Sequence, residues 1–405
     1  MAVGEAPLPP FFPIEGISIG TAAAGIRKVG RQDLTVFAIA EGAVAAGVFT
    51  RNAFCAAPVH LCRKHLALAA PRYLLVNTGN ANAGTGEQGM QDALACVAAL
   101  ARKTGVADVA VLPFSTGVIG EPLPVDRVVA GLDAALASLQ SDHWSEAATA
   151  IMTTDTRPKG VTASIEVGSG VIHISGIAKG AGMIKPNMAT MLSFVATDAS
   201  ISQNLLQVIL DEAIRLSFNR ITVDGDTSTN DSAILVATGK SVVDVDLLPA
   251  VEQELVRKAI TDLFIELAQL IVRDGEGATK FVSVEVCEGK TEQECERVAY
   301  AVAESPLVKT ALFASDPNWG RILAAAGRAG VESFDVSQVT IHLNGVLIAE
   351  RGGRASSYTE AAGAEALGSE EIVIRIGLGR GDAAATVWTT DLSHDYVTIN
   401  AEYRS

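Results

Sequence analysis

A threonine stands where a glycine-rich stretch meets an apolar run in the sequence KGAGMIKPNMATMLSF, residues 179–194. Thr190 follows the small Ala189 and precedes a segment that reads as a buried strand. A threonine hydroxyl needs a base to become a nucleophile, and the α-amine of an N-terminal threonine can be that base, with an ordinary pKa of about 7.7–8. Cleavage before Thr190 would create such an amine. The spacing permits this interpretation, and an ordinary β-forming threonine is the alternative.

A second motif, FSTGVIG at residues 114–120, ends a strand-like run in small residues. The backbone amides of such a segment can form a nest for an anion or an oxyanion, here around Thr116 and Gly117. An ordinary turn is the competing interpretation. A serine triad has no local support, because none of the six histidines lies in an H-E-x-x-H motif or beside a G-x-S-x-G elbow.

Two further motifs resemble known binding loops but lack essential parts of them. GTGEQG, residues 84–89, has the dinucleotide spacing, yet seven residues separate it from the preceding strand-like LLV, where a tight turn is required. We therefore favour a loop that caps a helix. DGDTSTND, residues 224–231, begins like a calcium loop, but Thr229 stands where glycine belongs and Leu235 where a glutamate belongs. A polar turn whose side chains bond their own backbone is favoured over a metal site or a catalytic role.

Composition sets limits on the class of protein. The chain has 405 residues, of which 49% are hydrophobic and 19% charged, as expected for a globular protein long enough for two or three domains. Its formal net charge of −15 argues against binding to nucleic acid or to an anionic membrane surface. A small acidic substrate is still compatible, because a nearby lysine can outweigh the net field at short range.

Cysteine usage and targeting signals favour a reduced, cytoplasmic protein. There are five cysteines, an odd number, and no pair has Cys-x-x-Cys spacing, so the sequence predicts neither a zinc site nor a disulfide framework. The beginning, MAVGEAPLPPFFPIEG, lacks the features of a secretory signal, and we find no apolar run long enough to cross a membrane. No metal or cofactor is predicted.

Hydrophobic periodicity predicts a mixture of helices and strands. The pattern is α/β or α+β, with many hairpin-like strand pairs rather than strict βαβ alternation. Glycines 168 and 170 bracket the turn of a predicted hairpin. The most clearly patterned segments are predicted helices at 87–104, 126–140, 203–217 and 247–273, and predicted strands at 191–198 and 233–238.

Several motifs in order along the chain resemble one enzyme family. Besides the stretch around Thr190, they are VNTGNANAGTG, STGVIG, IMTTDT, FNRITVDGDTSTNDS, RDGEGATKF, FASDPNWGRI and YVTINAEYRS. Together they resemble the bifunctional glutamate N-acetyltransferase / ornithine acetyltransferase family of arginine biosynthesis, over nearly the whole chain. The resemblance implies a two-lobed α/β fold of stacked sheets flanked by helices, with the mechanism of an N-terminal-nucleophile enzyme and a distinct topology.

The resemblance also implies a set of functional residues. A precursor would cleave between Ala189 and Thr190 into an α chain, 1–189, and a β chain, 190–405, which stay together as one intertwined catalytic unit. Thr190 would be the nucleophile, and Thr116 and Gly117 the oxyanion hole. Substrate-binding positions carried over from the family are Thr153, Lys179, Thr190, Glu276, Asn400 and Ser405. Thr153 is one of three threonines crowded into its motif.

These implied roles are chemically coherent. Lys179 can bind a carboxylate, and Glu276 an amine such as that of ornithine. Thr190 would take the acetyl group from N-acetylornithine and pass it to glutamate by ping-pong chemistry. The resemblance leaves open whether acetyl-CoA is a second donor. It implies an assembly that is α2β2 or larger.

Two rival interpretations remain at this level. A self-cleaving aminopeptidase or amidohydrolase of the same superfamily would pass the acyl group to water instead of glutamate. A nucleotide-binding protein built around GTGEQG would keep an intact chain. Acetyl transfer measured with and without glutamate distinguishes the first rival, and binding of NAD or ATP the second.

Overall fold

The structure, a computed structural model, describes residues 2–168, 170–185 and 191–402. Within these ranges the strands are β1 (Ile17–Ala22), β2 (Leu34–Ile39), β3 (Val44–Phe49), β4 (Tyr73–Asn80), β5 (Val111–Val118), β6 (Lys159–Val167), β7 (Gly170–Lys179), β8 (Leu192–Thr197), β9 (Ser232–Ala237), β10 (Phe281–Gly289), β11 (Thr340–Leu343), β12 (Val346–Glu350), β13 (Gly353–Arg354), β14 (Glu371–Gly377) and β15 (Ala383–Thr390). The helices are α1 (Ala57–Leu68), α2 (Gly86–Thr104), α3 (Val125–Ala137), α4 (Trp144–Ala150), α5 (Gln203–Leu216), α6 (Ala250–Arg273), α7 (Glu292–Ala303), α8 (Pro306–Phe313), α9 (Trp319–Gly327), α10 (Glu360–Ala366) and α11 (His394–Ala401).

The predicted helices and strands are confirmed, with two boundaries moved for local reasons. The third helix, α3, ends at Ala137 rather than 140, because the backbone of Gln140 instead pairs with Ile19 beside β1. The long helix α6 begins at Ala250 rather than 247, because Pro249 is extended and Val245–Leu247 forms a separate 3-10 turn. Proline immediately before a helix is a common start signal.

The strands form three sheets. A four-stranded sheet has the order β1-β2-β4-β5, a five-stranded sheet β3-β9-β8-β7-β6, and a six-stranded sheet β13-β12-β11-β14-β10-β15. Each mixes parallel and antiparallel pairs: β4 with β5, β8 with β9, and β10 with β14 are parallel. The predicted hairpin is confirmed, since β6 and β7 pair antiparallel with Val167 opposite Gly170.

The four-stranded and five-stranded sheets stack face to face through an aromatic cluster. The ring of Phe194 on β8 lies 5.0 Å from that of Phe37 on β2 and 5.1 Å from that of Phe114 on β5, measured between centroids. All three side chains are buried in one continuous apolar core. Helices α5 and α6 cover the other face of the five-stranded sheet.

The six-stranded sheet has a core of its own. Its buried residues run from Val282 to Val387 and pack under α7 and α9. The predicted mixed fold of stacked sheets with flanking helices is thereby confirmed. The core beneath α5 and α6 ends at Phe281, and the core of the six-stranded sheet begins at Val282. The predicted boundary at 189/190 is a cleavage position, and it stays a prediction.

The five-stranded sheet combines strands from both sides of that predicted cleavage position. Strands β3, β6 and β7 precede residue 189, whereas β8 and β9 follow it. Strand β7 pairs antiparallel with β8, with Lys179 opposite Leu192, so both ends of the connection 180–191 meet at one edge of the stack. Among the described residues no helix is long and apolar enough to cross a membrane.

Replacing Phe194 by alanine tests the stacking of the two sheets. Loss of a buried aromatic ring typically costs about 3–5 kcal/mol, so we expect the free energy of unfolding in urea to fall by that amount. Phe54→Ala is the matched control, because its side chain is 57% exposed and its loss should cost less than about 0.5 kcal/mol. Equal losses for both variants would mean that the aromatic cluster does not hold the sheets together.

Candidate active site

A polar cavity of about 270 Å³ lies where β5 and β7 end. It is lined by residues of both halves of the chain: Ala81, Thr116, Gly117, Val118, Ile119, Thr153, Thr154, Lys179, Gly182, Met183, Met191, Leu192, Ser228, Thr229, Asn230, Asp231, Glu276 and Asn400. Every sequence-predicted site residue within the described ranges is among them. Ala189, Thr190 and Ser405 lie outside the described residues, whereas Met191, the neighbour of Thr190, lines the cavity.

Thr116 and Gly117 lie at the end of β5, where the strand runs parallel to β4. Gly117 has a φ of 136°, a conformation that favours glycine. A Cβ at this position would lie 2.2 Å from the carbonyl carbon of Gly79 and 2.5 Å from the backbone nitrogen of Asn80. The two strands therefore approach closely because residue 117 has no side chain, and Gly117 also lines the cavity.

Lys179 is the buried cation of the cavity. Its Nζ donates a hydrogen bond to the Thr116 Oγ1, 3.0 Å away. Because the hydroxyl accepts this bond, its own hydrogen stays available to donate to a ligand. Burial lowers the pKa of the Lys179 ammonium, and the Asp155 carboxylate partly offsets that effect.

A fully buried charge cluster fixes the wall beside Lys179. The Lys159 Nζ lies 2.6 Å from Asp155 Oδ1 and 2.6 Å from Asp274 Oδ2, and all three side chains are inaccessible to solvent. Asp155 also accepts hydrogen bonds from the backbone amides of Gly180, at 2.7 Å, and Thr153, at 2.9 Å. The pKa of Asp155 is held below its usual range, since the nearby Lys159 and Lys179 outweigh the opposing effect of burial.

The three threonines of the motif IMTTDT lie in two different environments. Thr153 and Thr154 line the cavity, whereas Thr156 donates its amide, at 3.0 Å, and its hydroxyl to Asp274. Thr156 thus stabilises the Asp274 carboxylate of the charge cluster. Thr153, whose predicted role in substrate binding stays a prediction, lines the cavity together with Thr154.

Glu276 and Asn400 form the acidic end of the cavity. The Asn400 Nδ2 donates to Glu276 Oε2 at 2.8 Å, and the Glu276 amide donates to the Ala181 carbonyl at 2.9 Å. Gly182 makes room for this arrangement, because a Cβ there would lie 2.5 Å from the Glu276 carboxylate. A carboxylate at one end and an ammonium at the other suit an α-amino acid that carries both charges.

Sequence reasoning placed the segment 224–231 among the polar turns and missed its part in the cavity. The turn does bond its own backbone, as predicted: the Asp226 amide donates to Asp224 Oδ1 at 3.1 Å. However, Ser228 to Asp231 also line the cavity, and the Asn230 Nδ2 donates to the Ala81 and Ser115 carbonyls at 2.6 and 2.9 Å. A polar run directly before the apolar strand β9 was the signal that could have indicated a site.

Asp231 is the most deeply buried acid of this turn. Its side chain lines the cavity, and its Oδ2 has no hydrogen-bond partner among the described residues. Burial raises the pKa of Asp231 well above its usual range.

Asp224, which follows the predicted cleavage position in the chain, anchors the segment that precedes that position. Asp224 accepts hydrogen bonds from the Met183 amide to Oδ2, at 2.7 Å, and from the Ile184 amide to Oδ1, at 3.0 Å. The Lys185 Nζ lies 3.0 Å from Glu304 Oε2. Burial raises the pKa of Asp224 to about 6, although its backbone hydrogen bonds act in the opposite direction.

The histidines, cysteines and acidic residues form no metal site within the described part of the chain. The described residues hold no cluster of three or more histidine, cysteine or acidic side chains suited to a metal ion. All five cysteines are free thiols. GTGEQG leads into α2, which begins at Gly86; Thr85 precedes the helix without a side-chain capping hydrogen bond.

Three mixed sheets and a polar cavity of small-molecule size at their junction define a mixed α/β protein with a buried amino-acid-sized site. The family model described as "ArgJ family" matches residues 18–405, and the chain belongs to the ArgJ family. It is 56% identical over 406 residues to the arginine biosynthesis bifunctional protein ArgJ of Pseudomonas syringae pv. tomato, with 100% of both chains covered. The family resemblance drawn from the motifs is thereby confirmed.

Two solved structures are also similar to this chain. One is the arginine biosynthesis bifunctional protein argJ from Bacillus halodurans, at 35% identity and a TM-score of 0.47, covering 50% of this chain and 95% of that one. The other is ornithine acetyltransferase complexed with ornithine from Mycobacterium tuberculosis, at 35% identity and a TM-score of 0.37, covering 43% of this chain and 93% of that one. Family membership rests on the family model and the full-length relative.

Replacing Lys159 by methionine tests the charge cluster. The change leaves the Asp155 and Asp274 carboxylates buried without their cation, and we expect a loss of about 3–5 kcal/mol in the free energy of unfolding in urea. Lys258→Met is the matched control: its partner is Asp262 in an exposed pair, so the loss should be below about 1 kcal/mol. A Lys159 variant as stable as this control would contradict the structural role of the cluster.

Proposed function

We propose that this protein is an acetyltransferase of arginine biosynthesis that moves the acetyl group of N2-acetylornithine to glutamate. The observation that carries the proposal is the cavity in which Lys179, Thr116 and Gly117 meet Glu276 and Asn400. The family relationship supports it, because the full-length relative is named an arginine biosynthesis bifunctional protein. The products are ornithine and N-acetylglutamate, and acetyl-CoA is a candidate second donor.

The proposed nucleophile is made by the chain itself. The Thr190 hydroxyl adds to the carbonyl carbon of Ala189. The C–N bond between Ala189 and Thr190 then breaks, which leaves Ala189 joined to the Thr190 oxygen as an ester. Water hydrolyses this ester. The products are the Ala189 carboxylate and a free Thr190 α-amine, that is, chains 1–189 and 190–405. The α-amine is then the base for the adjoining hydroxyl.

Transfer proceeds by two half-reactions at this hydroxyl. Thr190 Oγ adds to the acetyl carbonyl of N2-acetylornithine while its proton moves to the α-amine. The C–N bond then breaks, the proton passes to the leaving amine, and ornithine departs. The neutral α-amine of glutamate attacks the carbonyl carbon of acetyl-Thr190 and loses a proton to the Thr190 α-amine. The ester C–O bond then breaks, that proton passes to the Thr190 oxygen, and N-acetylglutamate departs. Thr116 and Gly117 are the proposed donors to the oxyanion in each step; loss of one such donor typically costs about 3–4 kcal/mol in the barrier.

The charged groups of the cavity have complementary proposed roles. Lys179 binds the α-carboxylate, and its bond to Thr116 aligns that hydroxyl with the oxyanion. Glu276 with Asn400 binds the side-chain ammonium of ornithine. Thr153 and Ser405 complete the proposed substrate-binding set. The enzyme is proposed to act in the cytoplasm, without a cofactor, as an α2β2 assembly.

Intact-mass measurement under denaturing conditions, combined with an acetyl-transfer assay, tests the function. We expect two chains of 189 and 216 residues (405 − 189 = 216), the second beginning Thr-Met-Leu-Ser-Phe, and ornithine release that becomes catalytic when glutamate is added. Release of acetate without any need for glutamate would instead favour a hydrolase. A single uncut chain that still transfers acetyl groups would overturn the α-amine mechanism.

Replacing Asp224 tests whether its anchor prepares the chain for cleavage. Asp224→Ala removes both acceptors of the Met183 and Ile184 amides, so we expect the 189- and 216-residue chains to form more slowly, by about tenfold to a hundredfold. Mass spectrometry of samples taken over time after expression measures the rate. Asp224→Asn keeps one acceptor oxygen and should be intermediate.

Asp226→Ala is the control for this variant, because Asp226 lies in the same turn with an exposed side chain. It should cleave at the wild-type rate. Wild-type cleavage in a folded Asp224→Ala protein would show that the anchor does not position the cleavage segment.

A further inference from the structure

The polar turn that leads into β9 is held in place along its length. The carbonyl oxygens of residues 227–231 each accept a hydrogen bond. In chain order the donors are the Asn52 side-chain amide at 2.9 Å, the Thr50 hydroxyl at 3.0 Å, the Ala56 backbone amide at 2.9 Å, the Ser232 hydroxyl at 3.0 Å and the Thr50 backbone amide at 2.9 Å. Because a shift of this turn would leave buried carbonyls unpaired, its side chains have a fixed base.

The Asn230 side chain joins this turn to the oxyanion strand, β5, which carries Thr116 and Gly117. Its Nδ2 donates to the Ser115 carbonyl at 2.9 Å and to the Ala81 carbonyl, just after β4, at 2.6 Å. Two carbonyl acceptors can be met only by the NH2 end of the amide, so these partners fix its orientation. Asn230 lines the cavity, but both of its N–H donors are used within the protein, which leaves none for a substrate.

The Ser115 carbonyl belongs to the peptide group that leads into Thr116. A peptide group is planar, so a hydrogen bond that holds its oxygen also fixes the direction of the Thr116 N–H. The Ser115 hydroxyl is held separately, because it donates to Asn77 Oδ1 at 2.5 Å. Asn77 lies on β4, in the same sheet, and aligns neighbouring strands of that sheet. The bond from Asn230 instead comes from the end of the five-stranded sheet.

The same turn is bonded to the neighbour of the proposed nucleophile. The Ser232 amide donates to the Met191 carbonyl at 3.0 Å, where β9 pairs parallel with β8. Met191 directly follows Thr190 in the sequence. Two hydrogen bonds from residues two positions apart therefore link the residue after Thr190 to the residue before Thr116.

This link crosses the predicted cleavage position. Ala81 and Ser115 precede residue 189, whereas Asn230 and Ser232 follow it. Once the chain is cut, contacts between the two chains must hold the nucleophile and the oxyanion donors at the right distance. The hydrogen bond from Lys179 to Thr116 lies within residues 1–189 and cannot supply this constraint.

We propose that Asn230 is a positioning residue for the acetyl transfer, and that its bond to the Ser115 carbonyl sets the distance between Thr116 and the nucleophile Thr190. The inference rests on the proposed function. Attack on the acetyl group requires the hydroxyl and the oxyanion donors to meet at one carbonyl, and a misplacement of about 1 Å can cost about a hundredfold in rate. Asn230 acts through Thr116 and does not touch the substrate.

Asn230→Ala tests this role in the burst of ornithine released from N2-acetylornithine alone. Gln253→Ala on α6 is the matched control, because this side-chain amide also donates to two backbone carbonyls, those of Asp246 at 3.3 Å and Leu248 at 3.0 Å. We expect the first-order rate constant of the burst at saturation to fall about tenfold to a hundredfold in Asn230→Ala and to stay at the wild-type value in the control. The half-saturating concentration should change less than about twofold in both variants, since Lys179 and Glu276 are intact.

The amplitude of the burst separates positioning from folding. Unfolded or uncut molecules lower the amplitude, whereas misplaced oxyanion donors lower the rate constant. A reduced amplitude with a wild-type rate constant would overturn the inference, because Asn230 would then serve stability alone. A raised half-saturating concentration with a wild-type rate constant would also overturn it, because Asn230 would then contact the substrate.

A double variant with Thr116→Ala tests the route of the effect. If Asn230 acts through Thr116, its loss in the Thr116→Ala background should lower the burst rate constant by less than about threefold, since both changes remove the same stabilisation. Factors that simply multiply would show that Asn230 acts elsewhere, which contradicts the inference.

Hydrogen exchange tests the contact without any turnover, in cut or uncut protein. We expect the amides of β5 to exchange about tenfold faster in Asn230→Ala, and those of β10 to be unchanged. Unchanged exchange in β5 would overturn the positioning role whether or not the enzyme is active. A wild-type protein without an ornithine burst lacks the proposed function; faster exchange confined to β5 would then support the positioning contact, and only the reaction assigned to it would fail.

Discussion

The site depends on the buried attraction between Lys159 and the carboxylates of Asp155 and Asp274. These residues come from the loop after α4, the start of β6 and the end of α6. Charges removed from water must be paired closely, and this requirement fixes the relative positions of the three segments. Asp155 extends the constraint to the Gly180 amide and hence to Lys179, whose side chain reaches Thr116. One charge cluster thereby sets the distance between the proposed carboxylate-binding lysine and the oxyanion strand.

Close backbone approach is the second condition for this geometry. Gly117 lies against Gly79 with no room for a side chain, and Gly182 lies against the Glu276 carboxylate in the same way. These two glycines consequently let backbone lie close to the cavity, beside the Glu276 carboxylate. Packing then makes the walls rigid, because the aromatic cluster around Phe194 joins the sheet that carries Gly117 to the sheet that carries Lys179.

Local charge, rather than net charge, decides what such a protein can bind. The chain is strongly acidic overall, yet it keeps Lys179 buried near the carboxylates of Asp155, Asp231 and Glu276. A lysine and a glutamate, Lys179 and Glu276, therefore line the same cavity of a protein whose formal net charge is −15. Burial strengthens the fields of Lys179 and Glu276, because water screens a charge less inside a cleft than at the surface.

The sequence by itself determined the alternation of helices and strands, because hydrophobic periodicity and Gly/Pro signals are local. Ordered motifs also determined the family, and through it Thr116, Gly117, Lys179, Glu276 and Asn400, which the fold brings to one cavity. Only the tertiary structure decided what long-range contacts create. It places Asp231 at the cavity, and it pairs Thr156 with Asp274. Such pairings join residues more than 100 positions apart, and no local pattern records which distant carboxylate a lysine or a threonine will meet.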